Sequence, residues 1–233
     1  SGDYSLMSNF ADIWKESGGW GSESIFEINY QDDQAGRDWD TSKSAGGTVL
    51  PTLISPNSWQ GGDGWSAGQD GWGFLPMRVE TYNMYEDGDQ RRDATCWDVR
   101  SLLGTDKDYK ARYQDTHIWL AKYRPMDDNN KDCPSTKNLN YNNNLRIYRY
   151  AETLLNAAEL TLATGGSNGE ATGYFNEVHR RAGLPAMTSI TEDDILNERH
   201  LEFVGEGKRY FDLVRTGKAA TTLVATPGSD RTN

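Results

Sequence analysis

The chain has 233 residues and a formal net charge of −11, from 24 Lys and Arg against 35 Asp and Glu. Leu, Ile, Val and Phe are sparse enough at that charge to match a disordered composition, but eight Trp and twelve Tyr argue for a fold around an aromatic-rich core with much polar loop. The acidic balance disfavours nucleic acid, whose phosphates need a basic face, and no apolar run reaches the ~18 residues of a membrane span.

The sequence opens at Ser1-Gly2-Asp3 without a charged-then-apolar leader, so no signal peptide is expected within it. Asp3 to Ser17 places Leu6, Met7, Phe10, Ile13 and Trp14 at helical spacing, and Gly18-Gly19 stops that helix. Ser24 to Tyr30 alternates, which predicts a half-buried strand with Phe26, Ile28 and Tyr30 on one side and Glu27 and Asn29 on the other. Residues 32–47 read as loop, and the apolar run Val49 to Ile54 is broken by Pro51. Between Asn57 and Gly73 the glycines are too frequent for a helix or a regular strand. Pro76 to Glu86 predicts a short helix with Val79, Tyr82 and Tyr85 inward, closed by the Asp87-Gly88 turn. His117 to Tyr123 reads as a strand with Ile118, Leu120 and Lys122 alternating, and Asp127 to Tyr141 as polar loop.

The rest is helical in pattern. Asn144 to Ala163 sets Leu145, Tyr148, Ala151, Leu155, Ala158 and Leu162 on one stripe, and Gly165 caps its end. Glu170 to Ala182 follows, with Phe175, Val178 and Ala182 inward. Small residues at Ala151, Ala157 and Ala158 allow close approach, so the two predict an antiparallel pair like one tetratricopeptide unit. Thr191, followed by Glu192, Asp193 and Asp194, is a good N-cap for a third helix running to about Val204. The fold class expected is therefore mainly α, with a tetratricopeptide-like helix pair and a loop-rich lobe carrying a few short strands. The composition divides at residues 1–140, which hold every Trp, and 141–233.

Several motifs invite a chemical reading. Glu198, Glu202 and Glu206 recur every four residues and share a helical face, with Arg199 and Arg209 in reach. Alternating opposite charges favour a structural ion network over a paired-carboxylate acid/base site. Gly205 and Gly207 are expected to bend the helix there and turn Tyr210 and Phe211 inward. Gly165-Gly-Ser-Asn-Gly169 matches a nucleophile elbow, but a helix precedes it where a strand is required, so it reads as a turn. His117, His179 and His200 lack ligand spacing. Asp87-Gly-Asp89 and Asp127-Asp-Asn-Asn130 read as turns rather than calcium loops. Cys96 and Cys133 cannot form a disulfide scaffold and leave one bridge or two buried thiols open. No metal and no cofactor are expected.

Six segments in order resemble a known family: Glu23-Ser-Ile-Phe-Glu-Ile-Asn29, Tyr85-Glu-Asp-Gly-Asp-Gln-Arg-Arg-Asp-Ala-Thr95, Lys122-Tyr-Arg-Pro125, Arg149-Tyr-Ala-Glu-Thr-Leu-Leu155, Phe175-Asn-Glu-Val-His-Arg-Arg-Ala-Gly-Leu184 and the long block Glu198 to Gly217. They are similar to the C-terminal half of the RagB/SusD family, and the E-R-x-x-E-x-x-x-E-G-x-R-x-x-D-L-x-R pattern is the most specific. The resemblance implies a single domain over both parts of the chain, built as an α-α superhelix of tetratricopeptide-like pairs. It implies a non-catalytic glycan-binding lipoprotein of the outer membrane in Bacteroidetes. The partners implied are a glycan and a SusC-like TonB-dependent transporter for polysaccharide utilization and nutrient uptake. The only membrane link expected is a lipid anchor that this chain does not carry.

For the ligand, the stretch Trp59-Gln-Gly-Gly-Asp-Gly-Trp-Ser-Ala-Gly-Gln-Asp-Gly-Trp72 is the candidate. A sugar ring packs its C–H face on an indole, and its hydroxyls need polar side chains alongside. Trp59, Trp65 and Trp72 would supply the platforms, and Asp63, Gln69 and Asp70 the hydrogen bonds. The opposing reading is that these indoles anchor a glycine-rich loop to the core. Two other functions fit less well: a transporter-docking adaptor for a non-glycan nutrient such as peptide, in which rim charges such as Arg91 and Arg92 matter, and a glycoside hydrolase, which needs two carboxylates about 5–9.5 Å apart across a cleft.

Overall fold

The computed structural model describes residues 2–33, 37–40, 46–59, 71–104, 108–112, 114–126 and 129–224. In chain order the elements are β1 (Ser24–Ile28), α1 (Leu50–Ile54), α2 (Val79–Asn83), α3 (Arg91–Thr95), β2 (Cys96–Asp98), β3 (Ile118–Leu120), β4 (Leu145–Arg149), α4 (Tyr150–Ala163), α5 (Asn168–Arg181), α6 (Glu192–Glu202), α7 (Arg209–Arg215) and α8 (Ala219–Thr222). Most of the regular structure is helical, with short strands in two antiparallel pairs, β1 with β4 and β2 with β3.

The antiparallel pair α4 and α5 forms as its pattern predicts. Ala151, Leu154, Leu155 and Ala158 meet Ala171, Phe175 and Val178, and Ile190, Ile195 and Phe203 close the same core. The alanines keep the axes close, and α5 begins on Ser167, whose Oγ accepts from the Glu170 amide at 3.1 Å. At α6, Thr191 and Asp194 form a reciprocal capping box, each side chain accepting from the other's backbone amide.

The long stripe from Asn144 is only partly helix. Leu145–Arg149 is β4, and the helix starts at Tyr150. Cross-strand pairing with β1 holds these residues extended, with Ser24 opposite Arg149 and Ile28 opposite Leu145. The helix predicted from residue 3 is reduced to two 3₁₀ turns, Phe10–Trp14 and Glu16–Gly18, which still bury Phe10, Ile13 and Trp14. Val49 to Ile54, expected to be broken by Pro51, forms α1 with that proline in its first turn, where a missing N–H costs nothing.

The strand β1 is inverted relative to its alternation. Glu27 is the buried side, 4% exposed, whereas Phe26 is 54% exposed and Ile28 also faces out. A bulge on either side of Phe26 breaks the two-residue period. Glu27 is held inside because it has partners there: its Oε2 accepts from Asn144 Nδ2 at 2.8 Å and its Oε1 from the Trp20 amide at 3.2 Å, with Arg146 Nε 3.6 Å away.

Beneath α6 lies a buried ion network. Arg149, fully buried, bonds Glu202 Oε1 at 2.9 Å, Glu206 Oε1 at 2.8 Å and Glu23. Arg181 reaches Glu23 Oε2 at 2.8 Å and Glu202 Oε1 at 2.5 Å. Arg91 joins Glu198 Oε1 at 2.6 Å and Asp89 Oδ2 at 2.8 Å, and Lys122 Nζ bonds Glu206 Oε1 at 2.7 Å and the Glu202 carbonyl at 2.8 Å. Arg91 is therefore no rim residue. Arg199 turns to the other side of α6, onto Asp212 Oδ2 at 2.9 Å and Glu152 Oε1 at 3.3 Å. Burial opposes ionisation of Glu202, but Arg181, Arg149, Arg91 and Lys122 outweigh it and hold its carboxyl well below the usual range. Burial lowers the Lys122 ammonium to about 8, with Glu206 opposing. Every carboxylate named in this network is paired with a cation.

The loop-rich lobe carries its own cores. Trp59, Trp97, Val99 and Trp119 form one, and Met77, Tyr85, Cys96, Ile118 and Leu201 form another that seats the lobe on α6, where Tyr85 Oη donates to the Leu201 carbonyl at 2.9 Å. Tyr85 is inward as predicted, with Val79 and Tyr82 half-buried beside it. Cys96 and Cys133 are both buried free thiols, and burial pushes the Cys96 thiol up to about 12. Tyr210 and Phe211, expected inward, are exposed, the latter 68%. Gly205 and Gly207 do take left-handed φ of 80° and 76°, but α7 restarts with Asp212 and Leu213 as its buried side.

Candidate functional site

The glycine-rich stretch is rooted at both ends in the lobe. Asn57 and Gly71 form a parallel bridge, and a Cβ on Gly71 would lie 2.4 Å from the Ser55 and Pro56 carbonyl oxygens, so only glycine allows this approach. Ser58 adopts φ 56°, uncommon for a residue with a side chain, directly before Trp59. Trp59 then drops into the core. It is 3% exposed, edge-on to Trp97 at 4.8 Å and beside Tyr109 at 5.9 Å. Its faces are taken by protein, so Trp59 is corrected from sugar platform to loop anchor. Trp65, Asp63, Gln69 and Asp70 lie outside the described residues.

Trp72 emerges differently. The strand-like run after Gly71 is stitched along α1: the Trp72 amide donates to the Thr52 carbonyl at 2.7 Å, Gly73 to Ser55 at 2.7 Å and Phe74 to Leu53 at 3.1 Å. Gly73, at φ 67°, lies against Trp119. The half-buried Trp72 ring stands between Phe74, edge-on at 5.9 Å, and Trp39, tilted by 35° at 5.9 Å. Phe74 is 53% exposed and Trp39 63%. Three aromatic rings thus make an open ledge.

Polar groups flank it. The Arg112 guanidinium lies 5.3 Å over the Phe74 ring. The Trp39 segment is pinned by Asn140, whose Oδ1 accepts from the Arg37 amide and whose Nδ2 donates to the Arg37 carbonyl, both at 2.8 Å. Asp38 accepts from Thr136 Oγ1 at 2.6 Å and from the Trp39 amide at 2.7 Å, and these bonds hold its carboxyl below the usual range. It is an ionised acceptor beside the ledge at neutral pH. On the other flank Asp115, buried, takes bonds from Tyr109 Oη at 2.8 Å and the His117 amide at 2.7 Å, which fixes the turn that carries Arg112. Burial and then Asp115 push the Tyr109 phenol well above its usual value, so it remains a donor.

A separate cleft of about 720 Å³ opens between the first 3₁₀ turn and α3, with Trp14, Trp97 and Met126 in its walls and Lys15, Asp93 and Arg124 among its polar groups. Trp14 and Trp97 are nearly buried there. The ledge instead groups three rings, of which Trp39 and Phe74 are largely open to solvent.

Of the residues that form the ledge and its flank, the sequence pattern pointed to Trp72 and not to Trp39, Phe74 or Arg112. Trp39 stands between two aspartates, 33 residues before Trp72 in the chain, with no spacing to link them. Phe74 follows Trp72 by two, and a second aromatic so close in the chain was the available signal.

The ledge and the seam can be set against known proteins. The model of the SusD family matches residues 22–229. A SusD-like protein of Bacteroides ovatus is 27% identical over 214 residues, 90% of this chain and 37% of that protein. Among solved structures, surface glycan-binding protein A from Bacteroides uniformis is 56% identical with a TM-score of 0.84, covering all of this chain and 48% of that one. Surface glycan-binding protein A from Bacteroides thetaiotaomicron, in complex with laminarihexaose, is 53% identical with a TM-score of 0.87, over all of this chain and 51% of that one. The chain thus spans about half of these solved relatives and a little over a third of the curated one. With the family pattern running from β1 through the buried seam to α7, the chain belongs to the SusD family.

Proposed function

We propose that the chain is a glycan-binding part of a surface lipoprotein, and that the Trp39–Trp72–Phe74 ledge is where the sugar rests. The observation that carries this reading is the ledge: Trp72 between the exposed rings of Trp39 and Phe74, with an ionised carboxylate on one side and a guanidinium on the other. A pyranose ring lays its C–H face on such rings, and its hydroxyls bond to charged groups at the edge. The relative solved with laminarihexaose, 53% identical, supports a β-glucan class of ligand. Binding is non-catalytic in this reading: the carboxylates of the seam are buried and ion-paired, and membership of the SusD family supports a binding role. Membership of the family supports an outer-membrane location at the cell surface and delivery of the ligand to a SusC-like TonB-dependent transporter.

Isothermal titration of the protein with laminarihexaose tests it. Saturable heat, lost by tenfold or more in affinity on Trp72→Ala, is expected, with no release of new reducing ends. Flat titrations with laminarihexaose and with a panel of other soluble polysaccharides would overturn it.

A further inference from the structure

We infer that a groove along the two 3₁₀ turns is a second ligand site, separate from the ledge, and that it takes an uncharged oligosaccharide. The cleft of about 720 Å³ beside Trp97 does not end at Trp14. A second cleft of about 390 Å³ shares Trp14, Lys15, Glu16 and Asn129 with it, so the two meet along those residues. Both are of a size that holds small ligands. The second cleft is walled by residues 29–33, beyond β1, and residues 142–144, ahead of β4, and it includes the exposed Trp20. None of Trp39, Trp72, Phe74 and Arg112 lines either cleft, so the inference does not rest on the ledge.

Two residues of its wall carry a buried polar atom with no hydrogen-bond partner: Trp14, 8% exposed, at Nε1, and Asn143, 7% exposed, at Oδ1. Buried polar groups are nearly always paired, so two in one wall mark a surface shaped for something else. Both atoms are held in place. Lys122 Nζ lies 4.6 Å over the Trp14 ring and Tyr123 packs edge-on to it at 5.5 Å, which fixes the indole. A chain of amides fixes Asn143. The Met126 amide can only donate, so the Asn129 atom that it meets at 3.1 Å is Oδ1. Asn143 meets that same oxygen at 3.3 Å and must do so with Nδ2, which leaves its own oxygen over. Asn129 Nδ2 donates to Asn142 Oδ1 at 3.0 Å, and Asn142 Nδ2 to Asp32 Oδ1 at 3.4 Å, where the chain ends on a carboxylate. The groove therefore keeps one fixed donor and one fixed acceptor. A hydroxyl group is both donor and acceptor, and a sugar carries several at set spacings. A cation would use Asn143 Oδ1 and Asp32 but has no use for an indole N–H. Acidic side chains outnumber basic ones along the groove, which disfavours a sulfated or uronic chain. Trp97 and Met126 add an apolar wall against which the C–H face of a sugar can lie.

The test is a nuclear magnetic resonance titration of the double variant Trp39→Ala with Trp72→Ala, which removes the ledge, using laminarihexaose, cellohexaose and maltohexaose in turn. At least one of them should shift the Trp14 indole N–H, assigned by its loss in Trp14→Phe, together with the backbone amides of residues 142–144, and the shifts should saturate by millimolar sugar. Adding Asn143→Ala should weaken this binding at least tenfold. Trp20→Ala should weaken it severalfold with an unchanged urea midpoint, since that side chain is exposed, and it keeps the test open if Asn143→Ala does not fold. Resonances unmoved by all three sugars, or shifts indifferent to Trp20→Ala and to Asn143→Ala, would overturn the inference. So would calcium chloride moving the residues 142–144 amides where no sugar does, which would make the groove a cation site. A groove silent to sugar in a protein whose laminarihexaose binding is lost on Trp72→Ala would sink this inference and leave the ledge standing.

Discussion

The seam beneath α6 and the ledge at Trp72 both hold bulky side chains in fixed positions, but by opposite means. In the seam, four cations and five carboxylates are removed from water and survive because each finds several partners within about 3 Å; Arg149 alone reaches Glu23, Glu202 and Glu206. In the ledge the rings stay wet, and backbone bonds to α1 and the Asn140 clasp on Arg37 do the holding. The difference shows where function can reside. Desolvated charges paired with one another can brace a fold but cannot greet a ligand. Solvated rings pinned from behind leave their faces available.

The comparison breaks most easily at its charged end. Glu202→Gln removes the carboxylate shared by Arg149, Arg181 and Arg91 and leaves buried cations underpaired. A loss of about 3–5 kcal/mol in urea unfolding is expected, enough to leave much of the chain unfolded; an unchanged midpoint would show that the network is incidental. Trp59→Ala tests the anchor and should cost about 3–5 kcal/mol through the cavity left beside Trp97. If Trp59 were a platform instead, stability would hold and only sugar affinity would fall.

Trp72→Ala and Trp39→Ala sharpen the other end. Each should weaken laminarihexaose by about tenfold, or ~1.4 kcal/mol, while circular dichroism and the core tryptophan fluorescence stay close to the parent. Retained affinity in both variants would remove the ledge from the binding site.

Acid should act on the seam's helix before the ledge. His200 is held down to about 4 by burial and then by Arg209, and Glu202 sits below its ordinary 4.5. Both are depressed in the fold, so the unfolded chain binds more protons as pH falls. The contribution of His200 is complete above 6.5, its ordinary value, and is lost as pH falls to about 4; Glu202 adds its loss only below 4.5. Urea midpoints should therefore decline steadily below pH 6.5 and steeply below 4.5. A flat profile between pH 7 and 5 would show that His200 takes its proton freely in the fold.

Particular elements show what was legible beforehand. The α4–α5 pair, the Thr191 cap and the inward Tyr85 all follow from local pattern, because helical period and cap chemistry are written within a few residues. The β4 segment was hidden inside a helical stripe, since only its partner β1 keeps it extended. Glu27 read as the solvent side of its strand because alternation assumes that charge faces water; Asn144 and Arg146, more than a hundred residues away, reverse that. The regular spacing of Glu198, Glu202 and Glu206 announced an ion network, but not that Arg91, Lys122, Arg149 and Arg181 would supply the cations.

By itself the amino-acid sequence determined the helical class, the aromatic character of the core, the charged motif of α6 and α7 and the family to which it belongs. Those depend on composition, on period and on residues close together in the chain. Tertiary structure decided which tryptophan is buried and which stands open, because Trp59 and Trp72 flank the same glycine-rich stretch and differ in what surrounds them: Trp97 and Trp119 around one, the exposed rings of Trp39 and Phe74 around the other.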